Sequence, residues 1–123
     1  MSSPARHLSG AAELVREFNH DSRVTRADWE FPGASYDALG ALSRLVGMLP
    51  QAIDQTAVPV LHTHKHGRLL IDGGDADEAV KHMRTALDTA MQAARFLSAA
   101  VDHLHSTTSP MGLDTRGLPE FEE

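Results

Sequence analysis

The sequence predicts an all-α protein: a long antiparallel helical hairpin preceded by a short N-terminal helix, expected to complete a four-helix-type bundle by dimerising. Three observations predict it. Residues 75–105 repeat their apolar side chains with a helical period over four heptads. Residues 35–66 carry a second helical pattern of nearly equal length. Between them, residues 67–74 (Gly-Arg-Leu-Leu-Ile-Asp-Gly-Gly) are short enough to fold one arm back on the other.

The second arm is the firmer of the two. Asp75 is a good N-cap, with Glu78 three residues on in a capping-box spacing. Val80, Leu87, Ala94 and Val101 occupy one heptad row (a), and Met83, Ala90, Leu97 and Leu104 another (d). The adjoining g row is Ala79, Ala86, Ala93 and Ala100, while Lys81, Asp88, Arg95 and Asp102 alternate in sign along row b. An apolar face of three rows is wider than pairing with one helix requires. The alanine row is read either as a flank favouring helix propensity or as a second packing surface, to be covered by the N-terminal helix or by another chain.

In the first arm, Ser35 is the expected N-cap, with Asp37 in the first turn. Leu39, Val46, Ile53 and Val60 share row a, Leu42 and Leu49 row d, and Ala38, Leu45 and Ala52 row g. Pro50 and Pro59 interrupt the pattern; each lacks a backbone donor and crowds the preceding turn, so kinks are expected at both and a break at Pro59 is open. Gly67 suits the residue just past the helix end. Each arm would span about 45 Å.

Residues 1–34 form an N-terminal arm. Leu8, Ala11, Ala12, Val15 and Phe18 predict a short helix near 8–19, with Ser3-Pro4 or Ser9 as its start and Asn19 as its end. The connector after it contains Trp29-Glu-Phe-Pro-Gly33, read as a hydrophobic plug or as a partner-docking segment through Trp29 and Phe31. Residues 106–123, net acidic and holding two prolines, are expected to be a mobile tail.

Composition narrows function. At 123 residues the chain holds one domain at most, and its six aromatics leave Ala, Leu, Val and Met to fill a core. The absence of cysteine removes disulfides, thiolate metal sites and a cysteine nucleophile. No apolar run is long enough for a membrane span, and no secretory signal is evident, so a cytoplasmic location is expected. The formal charge is −6 with no basic stripe, against direct nucleic-acid binding. No phosphate loop, dinucleotide fingerprint or nucleophile elbow is present, and no catalytic residues are assigned. The Asp72–Glu78 run does not fit a calcium loop, because Gly74 and Ala76 stand where oxygen ligands are needed.

The one cluster with ligand chemistry is His62-Thr-His-Lys-His66. On a helix only His62 and His66 share a face, and the hairpin would bring His82 to the same end. These three could hold a divalent transition metal; the plainer reading is a solvated helix end, where cationic histidines suit the dipole. His103 and His105, with His7 and His20, are read as surface residues.

The segment from Trp29 to Gln55 (Trp-Glu-Phe-Pro-Gly, Tyr-Asp-Ala-Leu-Gly, Leu-Pro-Gln-Ala-Ile-Asp-Gln) and the Ala-rich second arm resemble uncharacterised small helical proteins of actinobacteria, over roughly residues 13–105. That resemblance implies a helical-hairpin fold and a bacterial host, with no activity or site residues. The hairpin is also broadly similar to the WXG-type secreted helical hairpins, but where those carry Trp-x-Gly at the turn this chain has His-Lys-His-Gly, so secretion is not carried over. The resulting expectation is a non-enzymatic interaction or structural module, homodimeric, with an unidentified protein partner and no membrane or nucleic-acid partner. The alternative is a small metal- or ligand-binding bundle.

Overall fold

A computed structural model describes residues 3–121; the ends of the N-terminal arm (1–2) and of the tail (122–123) lie outside it. The protein is all-helical, with no strand among the described residues: α1 (Ala5–Asp21), α2 (Pro32–Gly47), α3 (Leu49–Thr56), α4 (Val58–Lys65), α5 (Ala76–Thr108) and a final 3-10 turn (Pro119–Phe121). The described residues form two compact units, one of residues 3–35 with 111–121, the other of residues 36–110.

In the first unit, α1 begins earlier and ends later than its apolar spacing implies. Ser3 Oγ accepts a hydrogen bond from the Ala5 N–H (3.2 Å), and the Ser22 N–H closes the last turn on the Phe18 carbonyl (2.9 Å). The connector then folds back. The Trp29 indole N–H donates to the Ser22 carbonyl (3.0 Å), and its ring stands edge-on to Phe18, centroids 5.6 Å apart. Trp29 thereby satisfies its one polar atom while half-buried. From the other end of the chain, Phe121 packs edge-on to Phe31 (6.0 Å). The segment read as a tail begins later than Ser106, because α5 continues through Thr108.

The second unit holds the core. The first arm is divided at both prolines in the same way. α2 ends at Gly47 and α3 starts at Leu49; α3 ends at Thr56 and α4 starts at Val58. The intervening residues, Met48 (φ −89°, ψ −11°) and Ala57 (φ −84°, ψ −10°), stay near helical dihedrals. Helical bonding resumes at once, Ala52 N–H to the Met48 carbonyl (3.1 Å) and Leu61 N–H to Ala57 (3.0 Å). Pro50 and Pro59 thus fall in the first turn of a new helix, where an absent N–H leaves no bond unmade. The arm starts at Pro32, so Ser35 lies inside the helix and is not its cap. The proline's fixed φ is already helical, which favours that start.

α4 ends in a full Schellman arrangement. Gly67 has φ +67°, its N–H reaches the His64 carbonyl (2.9 Å), and the Arg68 N–H reaches Thr63 (3.1 Å). At the start of α5, Asp75 caps by accepting from the Asp77 N–H (3.2 Å). Glu78 does not complete a capping box; its carboxylate lies 3.8 Å from His82 instead.

Where the two arms touch, partner numbers fall along α5 as they rise along the first arm. A Cβ on Gly40 would lie 3.3 Å from His105 Nε2, the Ser43 hydroxyl donates to Asp102 Oδ1 (2.7 Å), and a Cβ on Gly47 would lie 3.8 Å from Ser98 Oγ. Nearest the turn, His64 Nε2 lies 2.7 Å from Asp77 Oδ1. The buried apolar residues are Val46, Ala57, Val80, Ala94 and Val101, joined by Thr108; no large side chain is fully buried among the described residues. This is a thin core, built from Val and Ala.

Candidate interaction surface

α5 turns a different stripe inward from the one its heptad pattern suggests. Buried or half-buried positions are Val80, Leu87, Ala94, Val101 and Thr108 from row a, together with Met91, Ser98 and His105 from row e. Row d stays inside only near the turn, at Ala76 and Met83; Ala90, Leu97 and Leu104 are exposed. The helix is therefore rotated so that its first arm covers a and e. Rows d and g, read as seam and flank, together face outward. Of the alanine row, Ala79 is half-buried, while Ala86, Ala93 and Ala100 are exposed.

The outward face is unusual in three respects. It is apolar: Phe96 is 78% exposed, Leu97 45% and Leu104 49%. It carries no Asp, Glu, Lys or Arg from Thr85 to Thr107 outside rows b and e, because Asp88, Arg95 and Asp102 all fall in row b. The hydroxyls of the adjoining rows c and f are also turned back on their own helix: Thr85 Oγ1 donates to the Lys81 carbonyl (3.2 Å), Thr89 Oγ1 to Thr85 (3.1 Å) and Ser106 Oγ to Asp102 (3.1 Å). A contiguous apolar face of this kind is a candidate contact surface.

Phe96 is the residue that the sequence pattern concealed. It sits in row c, outside the a, d and g rows, and is one helical turn from both Ala93 and Ala100. The only aromatic of an Ala-rich helix, placed in a row without charge, was the available signal.

The histidines separate into individual pairs. His62 and His66 stand one turn apart with ring centroids at 4.5 Å. His64 points to α5; since the Asp77 carboxylate only accepts, His64 Nε2 carries the donated proton. His82 faces Glu78 on its own helix. Among the described residues no group of three or more His, Asp or Glu converges in a metal-binding arrangement, so His62, His66 and His82 are not brought together as one ligand set. An open surface depression of about 500 Å³ adjoins this end, lined by Val58, Leu61, His62, His64, Lys65 and Arg84.

His105 is not a surface residue. It is half-buried, its ring lies 4.5 Å from that of Tyr36, and its Nε2 is buried without a hydrogen-bond partner. Of the other two residues read as docking groups, Trp29 is committed to Phe18 and Ser22, and Phe31 remains 40% exposed beside Phe121.

No family model matches the chain, and comparisons with characterised proteins and with solved structures return no match. No described helix is long and apolar enough to cross a membrane.

Proposed function

We propose that the chain is a non-enzymatic helical interaction module: its two arms form an antiparallel hairpin, and it self-associates through the outward face of α5. The observation that carries this reading is the charge-free apolar face of Ala86, Ala90, Ala93, Phe96, Leu97, Ala100 and Leu104 above a core of small residues. A small domain that buries so few large side chains gains stability by covering such a face. Sedimentation equilibrium tests it. The expected result is a dimer at micromolar concentration, converted to monomer by Leu97→Asp with helical content preserved. A native chain that sediments as a monomer would remove the reading.

A second reading, a transition-metal site at the turn end, is favoured by the placement of His62 and His66. Two imidazoles at i and i+4 can chelate nickel, copper or zinc. Calorimetric titration should show binding that His62→Ala or His66→Ala abolishes and His82→Ala leaves unchanged. Absence of heat with all three metals would eliminate it.

A further inference from the structure

The outward face of α5 contains its own complement, and we infer that its occupant is a second copy of α5, laid antiparallel across a two-fold axis near Arg95 and Phe96. This rests on the self-association proposed above and assigns its register. The residues 86, 90, 93, 97, 100 and 104 alternate in steps of four and three, the spacing of a helix–helix seam. In antiparallel pairs each row of one helix meets the other row of its partner. A single alignment then sets Ala93 against the partner's Leu97, Ala86 against the partner's Leu104, and Ala90 against the partner's Ala100. Every leucine of the seam meets an alanine, so no large side chain collides with another and the axes approach to the short end of the usual 8–10 Å range.

The same alignment places the flanking row c in register with itself. Phe96 meets the partner's Phe96 across the axis, and Thr89 meets the partner's His103. The most exposed aromatic of the helix would thus be covered by its own symmetry mate. Charge agrees with this choice of occupant. Copies of a chain with net charge −6 repel one another, and this face is the stretch of α5 over which no acidic side chain opposes their approach. A seam from residue 86 to 104 is about 27 Å long by helical rise.

The native chain lacks cysteine, so single cysteines report the register directly. The variants Thr89→Cys and His103→Cys leave Phe96 in place. Mixed and oxidised, with tags of different size, they should yield a heterodimeric disulfide, whereas each alone should remain largely uncross-linked. Phe96→Asp should weaken the dimer by at least about 30-fold, as loss of a central aromatic anchor does. A native dimer in which Thr89→Cys links to itself, or in which the mixture gives no heterodimer, overturns the register and leaves self-association standing. A dimer indifferent to Phe96→Asp places the contact on another surface. A monomeric native chain overturns both readings. Circular dichroism of each variant verifies that the helices are retained.

Discussion

The imidazole of His105 packs on the ring of Tyr36 at 4.5 Å, and its buried Nε2 occupies the space that Gly40 leaves by having no Cβ. A glycine inside α2 costs roughly 1 kcal/mol of helix propensity relative to alanine. Here that cost makes room for a ring from the facing helix. An alanine Cβ would sit 3.3 Å from Nε2 and 3.4 Å from Cε1, and the ring is hemmed in by Tyr36. Gly40→Ala should therefore forfeit the usual propensity gain, and Gly40→Val should destabilise by about 1–3 kcal/mol. In His105→Ala the obstacle is gone, and Gly40→Ala should then stabilise. Urea unfolding of the four-member cycle measures the coupling; additive effects would exclude it.

The Asp75 cap gives a sharper local expectation. Its carboxylate accepts from the Asp77 N–H at the start of a 33-residue helix. Asp75→Ala should cost about 0.5–2 kcal/mol, and Asp75→Asn, which retains the acceptor, a few tenths. Glu78→Ala should have little effect on the cap, since Glu78 makes no reciprocal bond and faces His82.

The thin core predicts sensitivity to small losses. Val80 is 4% exposed, and Val80→Ala should cost about 1–3 kcal/mol in transfer and cavity terms. If the outward face of α5 is covered by a second copy, the melting temperature of the native chain rises with protein concentration by mass action. Calorimetry over a hundredfold range of concentration checks it. In Leu97→Asp the melting temperature should become independent of concentration.

One acid–base expectation concerns the segment after α5. Asp114 Oδ1 and Oδ2 accept from the Arg116 guanidinium at 2.9 and 2.6 Å, and Oδ1 also accepts from the Arg116 N–H. The side-chain bond first, and the backbone bond second, hold the Asp114 carboxyl below its ordinary range and the Arg116 guanidinium above its own. A depressed carboxyl stabilises its turn above the unfolded pKa and loses that contribution as pH falls through the lowered one. The carboxyl titration followed by NMR should move up toward the ordinary range in Arg116→Ala, which removes the guanidinium bonds and keeps the backbone N–H bond. Because both groups are fully exposed, global stability should not move with it.

What was legible in the sequence was periodicity and punctuation. The Asp75 start, the Gly67 end and an interruption at each proline follow from local backbone chemistry, and local chemistry is present in the residues themselves. The rotation of α5 about its axis was not legible. Rows a, d and g are all apolar, so several orientations bury similar area. The choice was made by partners far off in the chain: Gly40 admitting His105, Ser43 holding Asp102, Gly47 beside Ser98. That rotation moved Leu97 and Leu104 from the expected inner seam to the open face, and it turned His105 inward. Phe96 stands outside rows a, d and g, so the heptad pattern does not mark it.

The interruptions at Met48 and Ala57 bear on the order of assembly. Isolated helices shorter than roughly 12–15 residues are marginal in water. α3 and α4 have 8 residues each, whereas α5 has 33. On that ground α5 is expected to form first, with α3 and α4 condensing on it. Mutations within α5 should accordingly slow refolding, and mutations in α3 or α4 should chiefly hasten unfolding. In kinetic terms the prolines make one arm the student of the other.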